Sequence, residues 1–307
     1  MKKVLLASTA LVATSSFAAA QGVELSGSAE MGIINGSSFT GTEFFSDIDV
    51  KFSLSGETDN GLTFGATIDL DEVGDDHDTS CSGGGDPIAA TPFSGCATQE
   101  HSVFISGAFG TLTMGDTDGA YDWALSEVGI GTAIADDHTT HAGFNGNSGL
   151  DGGNDGQIAR YDYSFGDFVA GVSVELDDTG GGVGDIIAIG GRWSGGVNGS
   201  DLAIGLGYQD SDVADIFGFS VRGGTAGFIG IFNYSDHSVT GDHIGLGLGY
   251  ETGGLLVSGN WGEFDGGVDG FGIAVNYDLG GGAQVQFGYG DDNTGFDQWS
   301  FGLSMAF

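Results

Sequence analysis

The chain has 307 residues, with six basic against 43 acidic side chains and a formal charge of −37 at pH 7. So few cations make nucleic acid a poor partner, because phosphate binding needs lysine and arginine to displace counterions. Glycine at 62 and proline at 2 would suit a low-complexity chain, but a 40% hydrophobic fraction supplies the apolar surface that disorder lacks.

Met1-Lys2-Lys3, an apolar run from Val4 to Phe17 and Ala18-Ala19-Ala20 before Gln21 predict a secretory signal peptide, residues 1–20. The run is shorter than the ~20 apolar residues of a spanning helix, and nothing later reaches that length. The mature chain, 21–307, then keeps Lys51, Arg160, Arg192 and Arg222 as its basic residues. Its acid excess has two readings: a solvated surface suited to salty or divalent-rich water, and a field that gathers cations.

From there on, apolar and polar residues alternate with period 2 in sixteen short runs, each predicted to be a strand. The first half holds 23–33, 48–58 and 62–70, then 101–107, 111–116, 158–164, 168–175 and 185–194. Between the third and fourth lies a polar stretch with Cys81 and Cys96; in an exported chain these predict a loop-closing disulfide, worth ~3 kcal/mol by chain entropy. The second half holds 202–209, 216–223, 227–235, 243–250, 255–262, 271–279, 283–290 and 298–307. In the last run Trp299, Phe301, Leu303, Met305 and Phe307 alternate with small or polar residues.

Alternation alone does not say which face is wet, since a soluble sandwich shows it too. The connections discriminate. Tight links such as Asp59-Asn60-Gly61, Phe165-Gly166-Asp167 and Gly280-Gly281-Gly282 alternate with long polar ones, at 34–45, 71–100, 117–157, 176–184, 263–270 and 291–297. That asymmetry predicts an all-β fold: a closed 16-stranded antiparallel transmembrane barrel with short periplasmic turns, long extracellular loops, an apolar face toward lipid and a polar face toward water. Tyr161, Tyr163, Trp193, Tyr250 and Tyr277 near the short turns, and Tyr208, Trp261, Tyr289 and Trp299 near the long loops, predict two interfacial girdles. Inward glycines, Gly205 and Gly207 with Gly245, Gly247 and Gly249, predict room for water inside.

The signal peptide, the sixteen strands, the final strand closing on Phe307 and the run Phe109-Gly110-Thr111-Leu112-Thr113-Met114-Gly115 before a long third loop resemble the general porins of Gram-negative bacteria, most nearly the alphaproteobacterial type. The resemblance spans the whole chain. It implies an outer-membrane homotrimer passing small hydrophilic solutes and ions, with Phe307 as a signal to the barrel-assembly machinery and 117–157 as a pore-constricting loop. The chain departs from the family at Asp116, where arginine is frequent.

On that reading the acids Asp116, Asp118, Asp122, Glu127, Asp136 and Asp137 are candidates for the constriction, foremost Asp122 and Glu127, which flank the semi-hydrophobic stretch Tyr121 to Ile134. Rings of carboxylates favour cations. Lys51, Arg160, Arg192 and Arg222 all take polar-face positions; they either oppose the loop acids across the pore or pair along the wall. No cofactor is expected. Asp136-Asp137-His138 with His141 has mixed ligands suggesting loop composition rather than a metal centre, and calcium at the acidic loops is chemically reasonable but without an EF-hand spacing. A barrel-wall phospholipase would need a serine beside an activated base, and no such spacing stands out. An adhesive or structural surface barrel is the remaining rival.

Overall fold

The computed structural model describes residues 22–70, 99–135, 139–178, 180, 182–197 and 199–307. The expected signal peptide, the Cys81–Cys96 bridge and the candidates Asp136 and Asp137 lie outside these residues.

Sixteen strands follow one another: β1 (Gly22–Gly36), β2 (Glu43–Glu57), β3 (Thr63–Leu70), β4 (Gln99–Gly107) and β5 (Gly110–Asp116). After the third loop come β6 (Gln157–Phe165), β7 (Phe168–Glu175), β8 (Ile186–Val197), β9 (Ser200–Asp210), β10 (Asp215–Thr225) and β11 (Phe228–His237). The series ends with β12 (Gly241–Thr252), β13 (Leu255–Phe264), β14 (Val268–Gly280), β15 (Ala283–Asp292) and β16 (Asp297–Ala306). Each strand pairs antiparallel with its sequence neighbours, and β1 pairs with β16 to close the barrel. All sixteen predicted strands are present.

The observed strands overrun the alternating stretches chiefly at the long-loop ends. The expected first loop, 34–45, shrinks to 37–42, because pairing between β1 and β2 continues to Ile34 opposite Glu43. Backbone pairing needs no hydrophobic alternation once the chain has left the apolar zone, so the sequence pattern fades before the ladder does.

Side-chain direction settles which face is dry. On β12, Ile244, Leu246, Leu248 and Tyr250 point outward, and Leu248 is 72% exposed, while His243, Gly245, Gly247 and Gly249 are buried inside. A soluble sandwich would show the reverse. Apolar residues outside and polar residues inside, on a sheet without an edge, satisfy every backbone group in hydrocarbon.

All nine girdle aromatics point outward, on the faces opposite the inward Arg192, Gln209, Asn276 and Ser300. Two of them pack against a phenylalanine of the next strand with tilted rings, Tyr250 with Phe228 (ring centroids 4.6 Å apart) and Tyr289 with Phe271 (5.9 Å). Such aromatic pairs stabilise neighbouring strands at the level where a ring is half wet.

Candidate pore constriction

The third loop runs along the inside of the barrel. It begins with a single helical turn, α1 (Ala120–Ala124), which packs on β7, β8 and β9. The semi-hydrophobic stretch singled out in the sequence does pack on the wall: Tyr121, Ala124, Leu125, Val128, Ile130, Ala133 and Ile134 are all buried. Val128 covers Gly245 and Gly247, Ile130 covers Gly249, and Ile134 reaches Gly32 and Gly302 at the closure of the barrel. The return limb passes Gly272 at Thr139, Gly262 at Gly143 and β9 at Leu150.

The inward glycines therefore have a different role from the one expected. They face inward, but the third loop rather than water fills the space they leave. Gly190 shows how tight the fit is: a Cβ there would stand 1.8 Å from the Ala120 carbonyl oxygen.

Inward polar side chains hold the loop by accepting from its backbone amides. Glu175 of β7, 1% exposed, accepts from Gly152, Asn154 and Gly156, each at 2.9 Å. Glu30 of β1 accepts from Ala135 (2.8 Å), and Asp292 of β15 from Ala142 (2.9 Å). Asn276 of β14 both accepts from Thr132 (3.2 Å) and donates to it (2.6 Å). Buried carboxylates are tolerated here because amide donors replace the water they lost.

With the glycine contacts, these run along the wall from β7 to β16 and on to β1. On the loop side the acids concentrate at α1. Asp118 precedes the turn, Asp122 lies on it half-buried, and Glu127 follows it, exposed. Burial, then the charges of Asp118, Glu127 and Asp151, push the Asp122 carboxyl up to about 8 against the pull of Arg160. Desolvation and Asp118 raise Glu127 in the same direction. Asp151 enters the group unforeseen: burial raises it to about 6, while Gly119 N (2.7 Å) and Gln209 Nε2 (2.5 Å) donate to it and oppose that rise.

Asp116 does not join them. It pairs with Gln157 on the outward-facing side of β5, beyond Met114 and beside His101, so it stands at the outer rim. Its position one residue beyond the inward Gly115 decides this.

Each of the four cations has the expected inward position. Lys51 pairs with Asp69, its cross-strand neighbour on β3, at 2.5 Å, which is wall pairing. Arg160 Nη1 donates to the Asp118 carbonyl oxygen at 2.5 Å, and its Nε lies 3.8 Å from Asp162 Oδ1. Arg160 and Arg192 both lie against the Trp123 ring, 5.3 and 5.2 Å from its centroid. Trp123, Glu175, Glu30 and Asp162 were not singled out in the sequence; only the oddity of acids at inward strand positions marked three of them. His141, weighed as a metal ligand, is buried with Nε2 2.9 Å from Asn260 Oδ1.

A closed antiparallel barrel, apolar outside and narrowed from within by a loop carrying acids, defines a transmembrane β-barrel of the loop-constricted class. The Gram-negative porin family model matches residues 7–306, and the chain belongs to that family. The porin of Rhodobacter capsulatus is 29% identical over 203 residues, 63% of this chain and 58% of that relative, so the match spans little more than half of the relative's length. A porin structure refined at 1.8 Å resolution superposes with a TM-score of 0.67 at 22% identity, over 93% of this chain and 100% of the other. An engineered variant of Rhodopseudomonas blastica porin gives 0.66 at 19% with the same coverage. Likeness at those identities establishes the fold.

Proposed function

We propose that this protein is a porin of a bacterial outer membrane through which small hydrophilic solutes and ions diffuse passively, with a preference for cations. Family membership and the polar, loop-narrowed interior support the channel. The cation preference rests on one observation: Asp118, Asp122 and Glu127 lie together on the loop side, while Lys51 and Arg160 are engaged with wall partners. Carboxylates lining a narrow aqueous path raise the local concentration of cations and repel anions.

The rest of the reading follows the family. Residues 1–20 are removed on export, 21–307 form the barrel with 117–157 as its constriction loop, and the protein works as a homotrimer in the bilayer. Phe307, 79% exposed at the end of β16, is the signal offered to the assembly machinery. The protein is a channel rather than an enzyme.

Reconstitution of the folded protein in a planar bilayer tests this. Stable ohmic steps and a reversal potential of the sign for cations are expected in a potassium chloride gradient. At pH 9, where Asp122 is ionised, Asp122→Asn with Glu127→Gln should lower the potassium-to-chloride permeability ratio severalfold. Anion preference in the unmodified pore contradicts the selectivity, and absence of steady conductance contradicts the channel.

A further inference from the structure

Asp122 and Trp123 are consecutive on α1, and a helical step of about 100° sends them in different directions. Asp122 joins the acids of the passage. Trp123 turns to the wall, over Gly171 of β7, where a Cβ would lie 3.2 Å from Cζ3 of the indole. The two arginines of the neighbouring inward positions come to it: Arg160 of β6 and Arg192 of β8, both about 5 Å from the ring centroid. Both guanidinium groups also face Asp162 on the wall.

We infer that Trp123 sets the strength of the cation preference, as a positioning residue that holds the guanidinium group of Arg192 against the barrel wall and off the carboxylates Asp118, Asp122 and Glu127. The inference deepens the selectivity proposed above and rests on it. The chemistry is suited to the task. An indole face attracts a guanidinium through its quadrupole without contributing or cancelling net charge. A carboxylate in its place would neutralise the arginines but add to the acids. An aliphatic side chain would leave the long, flexible Arg192 near these acids with little beyond Asp162 to keep it from crossing. Arg160 has further anchors in the Asp118 carbonyl and Asp162, so Arg192 depends most on the ring.

Reversal potentials in a potassium chloride gradient test this on the full-length folded protein, with circular dichroism to establish that each variant keeps its barrel. Trp123→Leu should lower the potassium-to-chloride permeability ratio by roughly two- to fivefold, the population change that a cation–π contact at a half-wet site corresponds to. Trp123→Phe, which retains an aromatic face, should recover at least half of the loss. In an Arg160→Gln, Arg192→Gln background, adding Trp123→Leu should leave the ratio unchanged, because no cation remains to be held. An equal drop in that background would mean that Trp123 acts only by packing α1, and overturns the inference. So does a cation-selective unmodified pore whose ratio Trp123→Leu does not move. An unmodified pore without cation preference overturns the selectivity itself.

Discussion

Asp122 carries the pH response of the passage. An aspartate in the unfolded chain titrates near 3.8, whereas burial and three neighbouring carboxylates raise Asp122 to about 8 in the fold. The folded state therefore binds this proton more tightly than the unfolded one, and the stability it contributes falls as pH rises from about 4 through 8. Function moves the other way. Between pH 6 and 9 Asp122 acquires its charge, so cation preference should rise across that window, and Asp122→Asn should flatten the rise. Reversal potentials at both pH values in one salt gradient check the sign; a preference that declines with pH contradicts it. Glu175 is the other decisive residue. Three loop amides converge on its carboxylate, so Glu175→Gln, which removes the charge and one acceptor oxygen, should cost about 2–3 kcal/mol in denaturant unfolding and make single-channel currents noisier.

At the scale of elements, α1 is held by its fit to the wall more than by itself. Five residues are too few to be stable alone, and Gly119 at its N-terminus gives no side-chain cap. Its backbone rests on Gly190 and Gly205, where absent side chains let the Ala120 and Ala124 carbonyl oxygens approach. Gly190→Ala should push the turn into the passage, lowering single-channel conductance and costing about 1–3 kcal/mol. Unchanged conductance would show that the wall yields instead. The strands were legible from Trp299 to Phe307 as elsewhere, because one apolar face per strand leaves a period-2 trace. The turn was not, since its pattern serves a curved wall rather than its own periodicity.

For the whole molecule the main consequence is the inverted arrangement of polarity. Leu248 lies between the girdles with 72% of its surface exposed. Leu248→Arg should cost about 2–4 kcal/mol when folding is measured in lipid vesicles, since a cation there displaces hydrocarbon contacts. In a water-soluble barrel an exposed leucine would tolerate the change with no measurable loss. The acid-rich composition fits this arrangement as well: carboxylates are excluded from the outer wall and collect at the long loops, the rim and the interior.

The amino-acid sequence by itself determined the strand number, the direction of each strand face, the aromatic girdles and the identity of the longest loop. All of these follow from local spacing and composition, and a bilayer admits one closed form for them. Tertiary structure alone decided that the loop occupies the glycine floor, that Asp116 stands outside the acid group and Asp151 within it, and that Trp123 meets two arginines. Those facts depend on strands far apart in the chain being brought to one height by the register of the ladder, and no local pattern records that height.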